Sequence, residues 1–208
     1  IADIVKPNGT LLHVDAAQSI GKIAVDIKNI PVDAMTFSAH KAYGPIGVGA
    51  LYIRSTPKLR LTPQIHGGGQ QQDLRGGTMP THQIAGMGKA FELATTDLQQ
   101  EQHRIIQLRD QLWQGLQLLN GVSLNGDLQH QVPQCLNVAF GGVNAEALLL
   151  ATRHLALSTG SACNSALNQP SHVLLSMGIS HTQASQSVRI SLGRYTSEED
   201  TAVALQQV

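Results

Sequence analysis

Aromatic side chains are scarce in this chain: 3% of 208 residues, with one Trp, three Tyr and three Phe. Charge is balanced as well as sparse, with 14 Lys and Arg against 14 Asp and Glu and a formal net charge of zero. A nucleic-acid groove needs basic charge and stacking platforms, so no direct nucleic-acid binding is expected. No apolar run approaches the roughly 20 residues of a membrane span. No signal peptide or lipidation motif is visible, and no membrane partner is expected. Two cysteines, Cys135 and Cys163, make no disulfide framework and point to a reducing, cytoplasmic setting. No His/Cys spacing resembles a zinc site, so His13 and His66 read as satisfied polar residues. What remains is an ordinary globular composition, 42% hydrophobic and 13% charged, long enough for one or two domains with a core.

There is no initiator Met. Ile1 to Lys6 reads as the last turns of a helix, closed by Pro7-Asn8-Gly9, and residues 198–208 read as a helix interrupted mid-course. A piece of a longer protein is therefore expected.

Short apolar runs at 11–16, 32–38 and 48–54, with an amphipathic stretch at 17–28, suggest an α/β arrangement with a mostly parallel sheet. Residues 65–78 form a glycine-rich loop whose donors suit a phosphate. A long helical pattern over 82–119, with apolar residues at mixed three- and four-residue steps, suggests a helix that bridges to a second domain. There, strands at 122–124, 135–140, 156–159 and 187–192 mix with helices at 145–155 and 171–177, which suggests a small α+β domain. The expected division is 1–95 and 96–208. No internal repeat is visible.

Ser38-Ala39-His40-Lys41 is the most informative stretch. It follows an apolar run and precedes a Gly/Pro turn. A lysine in a partly dry site at a strand end can form a Schiff base with a carbonyl. Pyridoxal phosphate is the commonest cofactor held so, with an Asp partnering its ring nitrogen. Asp15, at the end of the 11–16 run, is the candidate Asp, and Gln18 could donate to the ring's phenolic oxygen. Ser38, His40 and Thr78 have the right chemistry for phosphate oxygens. Cys163, in a small polar segment, has the setting of a nucleophilic thiol. Arg189, inside a strand-like run, has the fork that clamps a carboxylate. Each residue also has a plainer reading: Asp15 as a helix N-cap, Lys41 as a solvated flank, Arg189 in a structural ion pair, Cys163 as a small buried hydrophobe. Cys135 reads as structural. Arg75 and Arg194 suit either a phosphate or the surface. Only the combination favours a cofactor site with a reactive thiol.

That combination resembles a family. His13-Val14-Asp15-Ala16-Ala17-Gln18-Ser19, Phe37-Ser38-Ala39-His40-Lys41-Ala42-Tyr43-Gly44-Pro45 and Ser158-Thr159-Gly160-Ser161-Ala162-Cys163 are similar to the signatures of cysteine desulfurases of the IscS/NifS type. These are pyridoxal phosphate enzymes among the class V aminotransferases. Gly67-Gly68-Gly69 through Thr78-Met79-Pro80, and Val188 through Arg194, match in order as well.

The resemblance implies part of the large fold type I domain followed by a small α+β domain. It implies that Lys41 holds the cofactor and moves protons, with His40 assisting, and that Arg189 binds the carboxylate of L-cysteine. Cys163 would take the substrate sulfur as a persulfide, leaving alanine. The sulfur would pass to an iron–sulfur scaffold protein or another acceptor, for cluster assembly or tRNA thiolation. Cys163 could transiently share an iron–sulfur cluster, and no resident metal is implied. Thr78 would reach the phosphate of a neighbouring subunit in a homodimer. The family's members begin well before Ile1, and that portion carries a histidine stacked on the cofactor ring and a phosphate loop; activity of this chain by itself is not expected. Gln70-Gln71-Gln72-Asp73 stands where relatives are more basic. Two further readings stay open: a related class V enzyme, such as a selenocysteine lyase or aminotransferase, and a non-catalytic module for dimerisation or partner binding.

Overall fold

A computed structural model describes residues 1–55, 59–159 and 170–208. The chain forms two compact units, Ile1–Leu98 and Gln99–Val208.

The first unit opens with the short helix α1 (Ala2–Val5) and a 3-10 turn, Lys6–Asn8. Its sheet has the order β1 (His13–Asp15), β2 (Ala34–Ser38), β3 (Gly49–Ile53). β1 and β2 run parallel, with Asp15 opposite Thr36. β2 and β3 run antiparallel, with Ser38 opposite Gly49. The sheet is therefore mixed among the described strands, where the sequence suggested mostly parallel pairing. Residues 39–48 are too few for the dozen or so that a parallel crossover needs, so the chain turns straight back. A small core of Ala16, Val32 and Met35 packs with Leu12, Val14, Val25, Phe37 and Tyr52.

The amphipathic stretch at 17–28 is a series of turns, not a helix. Two local features explain this. Asp15 Oδ1 accepts the Ala17 N–H at 2.9 Å, which starts the segment as a side-chain-closed turn. Gly21 then takes a left-handed φ of 73°, and a Cβ there would stand 2.9 Å from Ala94 Cβ. The segment is shaped by that close approach rather than by its apolar period.

Helix α2 (Thr81–Thr96) ends at Asp97, and α3 (Leu98–Leu116) begins at once, so the long helical pattern is two helices. On α3, Ile105, Leu108, Leu112 and Leu116 recur at helical spacing and are all buried. They join Leu136, Val138, Phe140, Ala145, Leu148, Val188 and Leu192 in the core of the second unit. Full burial of each such aliphatic side chain contributes about 1.5–3 kcal/mol.

The second sheet is antiparallel throughout, in the order β4 (Val122–Leu124), β5 (Cys135–Phe140), β6 (Ser187–Ser191). Helices α4 (Ala145–Ala151), α5 (His172–Ser176), α6 (His181–Ser185) and α7 (Glu198–Gln207) complete the described elements. The strand expected at 156–159 is reduced to one bridge, Ser158 to Arg189. Asn144 caps α4 by accepting from the Glu146 and Ala147 N–H groups, and Ser197 with Asp200 forms a capping box on α7.

Candidate active site

Parallel pairing puts the carboxyl ends of β1 and β2 at the same edge of the first sheet, where open α/β sheets bind ligands. Asp15 ends β1 and Ser38 ends β2. Past Ser38 the chain tightens into a 3-10 turn, His40–Ala42. The Ala42 and Gly44 N–H groups both donate to the Ala39 carbonyl at 2.9 Å, and the Ala39 N–H donates to Val48 O at 3.2 Å. Tyr43 holds a left-handed φ of 63°, uncommon for a side chain with a Cβ. A Cβ at Gly44 would stand 3.0 Å from the Ala39 oxygen, a tight approach that favours glycine in this closure. Ala39 and Ala42 are buried under the turn while His40 and Lys41 project from it, exposed.

This exposure departs from the partly dry lysine site that the sequence suggested. The described residues leave the end of a three-stranded sheet open, and none of them forms a hydrogen bond or ion pair with the Lys41 ammonium. Asp15 is likewise exposed, and its recorded bond to Ala17 is that of a local turn rather than a helix N-cap. The Gln18 side-chain oxygen accepts from Lys22 Nζ one turn on. Ser38 is half-buried. Thr78 is exposed in the glycine-rich loop, three residues before α2 begins.

That loop is backbone-tight. Gly67 and Gly76 cross so closely that a Cβ on Gly76 would stand 2.7 Å from Gly67 Cα. Ile65 and Arg75 bridge across it, and Gln71, Gln72 and Asp73 take left-handed φ values in succession, 51°, 57° and 64°.

Arg189 belongs to the second unit. On β6 it pairs with Asn137 of β5 on one side and bridges to Ser158 on the other, where its N–H donates to Ser158 O at 2.6 Å. Its side chain is half-buried, and its Nε is buried with no hydrogen-bond partner among the described residues. A buried, unpartnered guanidinium nitrogen is costly unless an acceptor arrives, and a carboxylate is the acceptor its fork fits best. Cys163 and the rest of the Gly160-Ser161-Ala162-Cys163 motif lie outside the described residues. Cys135 is half-buried at the start of β5, its Sγ 3.8 Å from Ser191 Oγ.

The donor set at the first sheet's edge fits pyridoxal phosphate. An unpaired primary amine suits its aldehyde, a carboxylate on the adjoining strand suits its ring nitrogen, and hydroxyl and imidazole groups suit its phosphate. When bound, the cofactor supplies an electron sink for carbanion chemistry.

Among known proteins, a family model described as aminotransferase class-V matches residues 1–203. The chain belongs to the class-V aminotransferase family. Among curated relatives, "Cysteine desulfurase IscS" of Methylobacillus flagellatus is 48% identical over 99% of this chain and 51% of its own length. This class-V aminotransferase chain thus spans about half the length of the curated relatives it matches. A solved structure described as a NifS-like protein superposes with a TM-score of 0.87 at 37% identity, over 99% of this chain and 54% of that one. Another, "SspA in complex with cysteine", gives a TM-score of 0.71 at 35% identity, over 95% of this chain and 54% of that one.

Two features of this family member escaped the sequence reading. Gln83 and Gly86 on α2 touch the turn that follows Lys41. A glycine inside a helical pattern was the available signal, since it is unfavourable there unless something needs the space.

Proposed function

We propose that this chain is the part of a pyridoxal phosphate-dependent cysteine desulfurase that carries the cofactor lysine and the persulfide cysteine. The observation that carries the reading is the 48% identity to a curated cysteine desulfurase over 99% of the chain, a span that takes in Lys41, Cys163 and Arg189. The SspA relative in complex with cysteine supports the substrate class.

In this reading residues 1–95 belong to the cofactor-binding domain and 96–208 form the small domain with the cysteine loop. Asp15 faces the ring nitrogen and Gln18 the phenolic oxygen. Ser38, His40 and Thr78 take the phosphate, Thr78 across a homodimer. Arg189 receives the carboxylate of L-cysteine on its free Nε side. Lys41, as the amine at the sheet's edge, takes the proton from the substrate's Cα and returns one to carbon, with His40 beside it.

Cys163, as thiolate, attacks the substrate sulfur. The carbon–sulfur bond breaks and a sulfur–sulfur bond forms. The electron pair and a proton go to the former Cβ, so L-cysteine and a thiol become alanine and a persulfide, with no outside oxidant. An iron–sulfur scaffold or another thiol acceptor then removes the sulfur, in the cytoplasm.

The test is alanine formation from L-cysteine by the cofactor-loaded full-length protein that contains this chain, and by two variants of it. Lys41→Ala is expected to abolish turnover. Cys163→Ser is expected to abolish it while leaving cofactor attachment intact. Turnover that survives Cys163→Ser would favour a class-V relative with different chemistry and overturn the desulfurase reading.

A further inference from the structure

Two glycines on α2 have opposite surroundings. A Cβ at Gly88 would meet nothing within 4 Å, whereas one at Gly86 would stand 2.7 Å from Pro45 Cγ and 3.2 Å from Pro45 Cδ. Glycine is a poor helix residue, so both positions weaken α2 relative to alanine. At Gly86 the missing side chain has a use: it lets Pro45 seat directly on the helix.

One turn earlier, Gln83 Nε2 donates to the Ile46 carbonyl at 2.7 Å. A Cβ at Gly47, which holds a left-handed φ of 86°, would lie 3.1 Å from that same nitrogen. Pro45, Ile46 and Gly47 continue the turn that carries Lys41. That turn is closed on itself through the Ala39 carbonyl and contains the left-handed Tyr43. His40 and Lys41 project outward and give it no packing of their own. Ala39 and Ala42 anchor the start of the turn, and the contacts from α2 hold its far side, Pro45 to Gly47. The same helix begins three residues after Thr78, so it joins the Lys41 turn to the end of the glycine-rich loop.

We propose that Gln83 and Gly86 are positioning residues for Lys41, holding its turn through the Ile46 carbonyl and the Pro45 ring. The inference rests on the reading of Lys41 as the cofactor lysine. Neither residue touches the reacting atoms; each acts through the backbone that aims the amine. An added methyl at Gly86 must push Pro45 away. Gln83→Ala releases the Ile46 carbonyl with no steric change, so it serves if Gly86→Ala disturbs the helix.

The experiment compares Gly86→Ala and Gln83→Ala with Gly88→Ala as the control on the same helix. Amide hydrogen exchange across residues 39–47 is followed by mass spectrometry. On the same proteins, pyridoxal phosphate is trapped with borohydride over a range of pH and the Lys41 adduct is quantified. The expected result is exchange about tenfold faster across 39–47 in Gly86→Ala and Gln83→Ala. Trapping on Lys41 should fall about threefold, because a misdirected amine reacts less well. Gly88→Ala should leave trapping unchanged and should not speed exchange. Exchange in the two variants equal to that of the control would overturn the proposal. So would a loosened turn whose Lys41 is trapped at an unchanged rate. An adduct absent from Lys41 in the unaltered full-length protein that contains this chain would instead refute the reading of Lys41, while the exchange data still decide whether α2 holds the turn.

Discussion

Asn125→Ala should cost the second unit about 2–3 kcal/mol, and the figure follows from its surroundings. Asn125 is 4% exposed, at the end of β4. Its Nδ2 donates to Asn137 Oδ1 and to Ser187 Oγ, both at 2.8 Å. Its Oδ1 accepts from Gln183 Nε2 at 3.0 Å. The substitution removes all three bonds. Ser187 keeps a partner, since its hydroxyl donates to Gln183 O at 2.6 Å. Asn137 Oδ1 is left without this donor, and Gln183 Nε2 keeps only a long contact of 3.5 Å to Ser123 Oγ. Each buried polar atom left unsatisfied costs about 1–3 kcal/mol, and both residues are half-buried, so water recovers part of that cost. The unit reports on itself, because the chain's one Trp, Trp113, packs on this core. Urea unfolding followed by Trp fluorescence should shift its midpoint down by about 1 M, for a slope of about 2 kcal/mol per molar. A loss under about 0.5 kcal/mol would refute the reasoning, since it would mean that the network is wet or redundant.

Other predictions follow the same physics. Asp33 is buried, and its carboxyl is held below the usual carboxylate range by the Lys6 ammonium at 2.6 Å and the Leu12 N–H at 2.7 Å. A depressed folded-state value stabilises the fold above the unfolded value near 3.9 and loses that contribution as pH falls through the folded value. Acid titration by circular dichroism should therefore show a shallower pH dependence below about pH 4 in Asp33→Asn, which starts from lower stability at neutral pH. Ser197→Ala removes the cap that accepts from the Asp200 N–H at 3.1 Å, and should cost about 1 kcal/mol in chemical unfolding. Leu136→Ala, at a side chain with no exposure, should cost about 2–5 kcal/mol in the same assay. Gly88→Ala should raise the melting temperature by the equivalent of about 0.5–1 kcal/mol, because its Cβ enters open space in a helix.

Local patterns carried most of the element placement. The apolar runs at 32–38 and 48–54 settle as Ala34–Ser38 and Gly49–Ile53, and the α3 stripe from Ile105 to Leu116 is helical as its spacing requires. Elements shaped by distant contacts were not legible. The 17–28 segment carries local turn signals in Asp15 and Gly21, but the approach of Ala94 on α2 that fixes Gly21 is not visible in the sequence. The break at Asp97 interrupts a pattern whose apolar period continues across it. Helix α6 is five residues long, too short to show a period, and is held by a Ser180 cap and the Asn125 network. At the candidate site, strand ends identified Asp15, Ser38, His40 and Lys41 as residues of one sheet edge. The openness of that edge depends on how many strands flank it, which these residues do not encode. Gln83 reaches Ile46 over 37 positions of sequence, a pairing visible only once the chain is folded.

In the proposed desulfurase, sulfur from L-cysteine comes to rest on one thiol, Cys163. The most direct measurement is to give L-cysteine to the cofactor-loaded full-length protein that contains this chain, alkylate it, and map the added sulfur by peptide mass spectrometry. A persulfide on Cys163, alanine in matching amount and no added sulfur on Cys135 are expected. Alanine formed with no sulfur on Cys163, or sulfur found on Cys135 instead, would contradict the desulfurase reading.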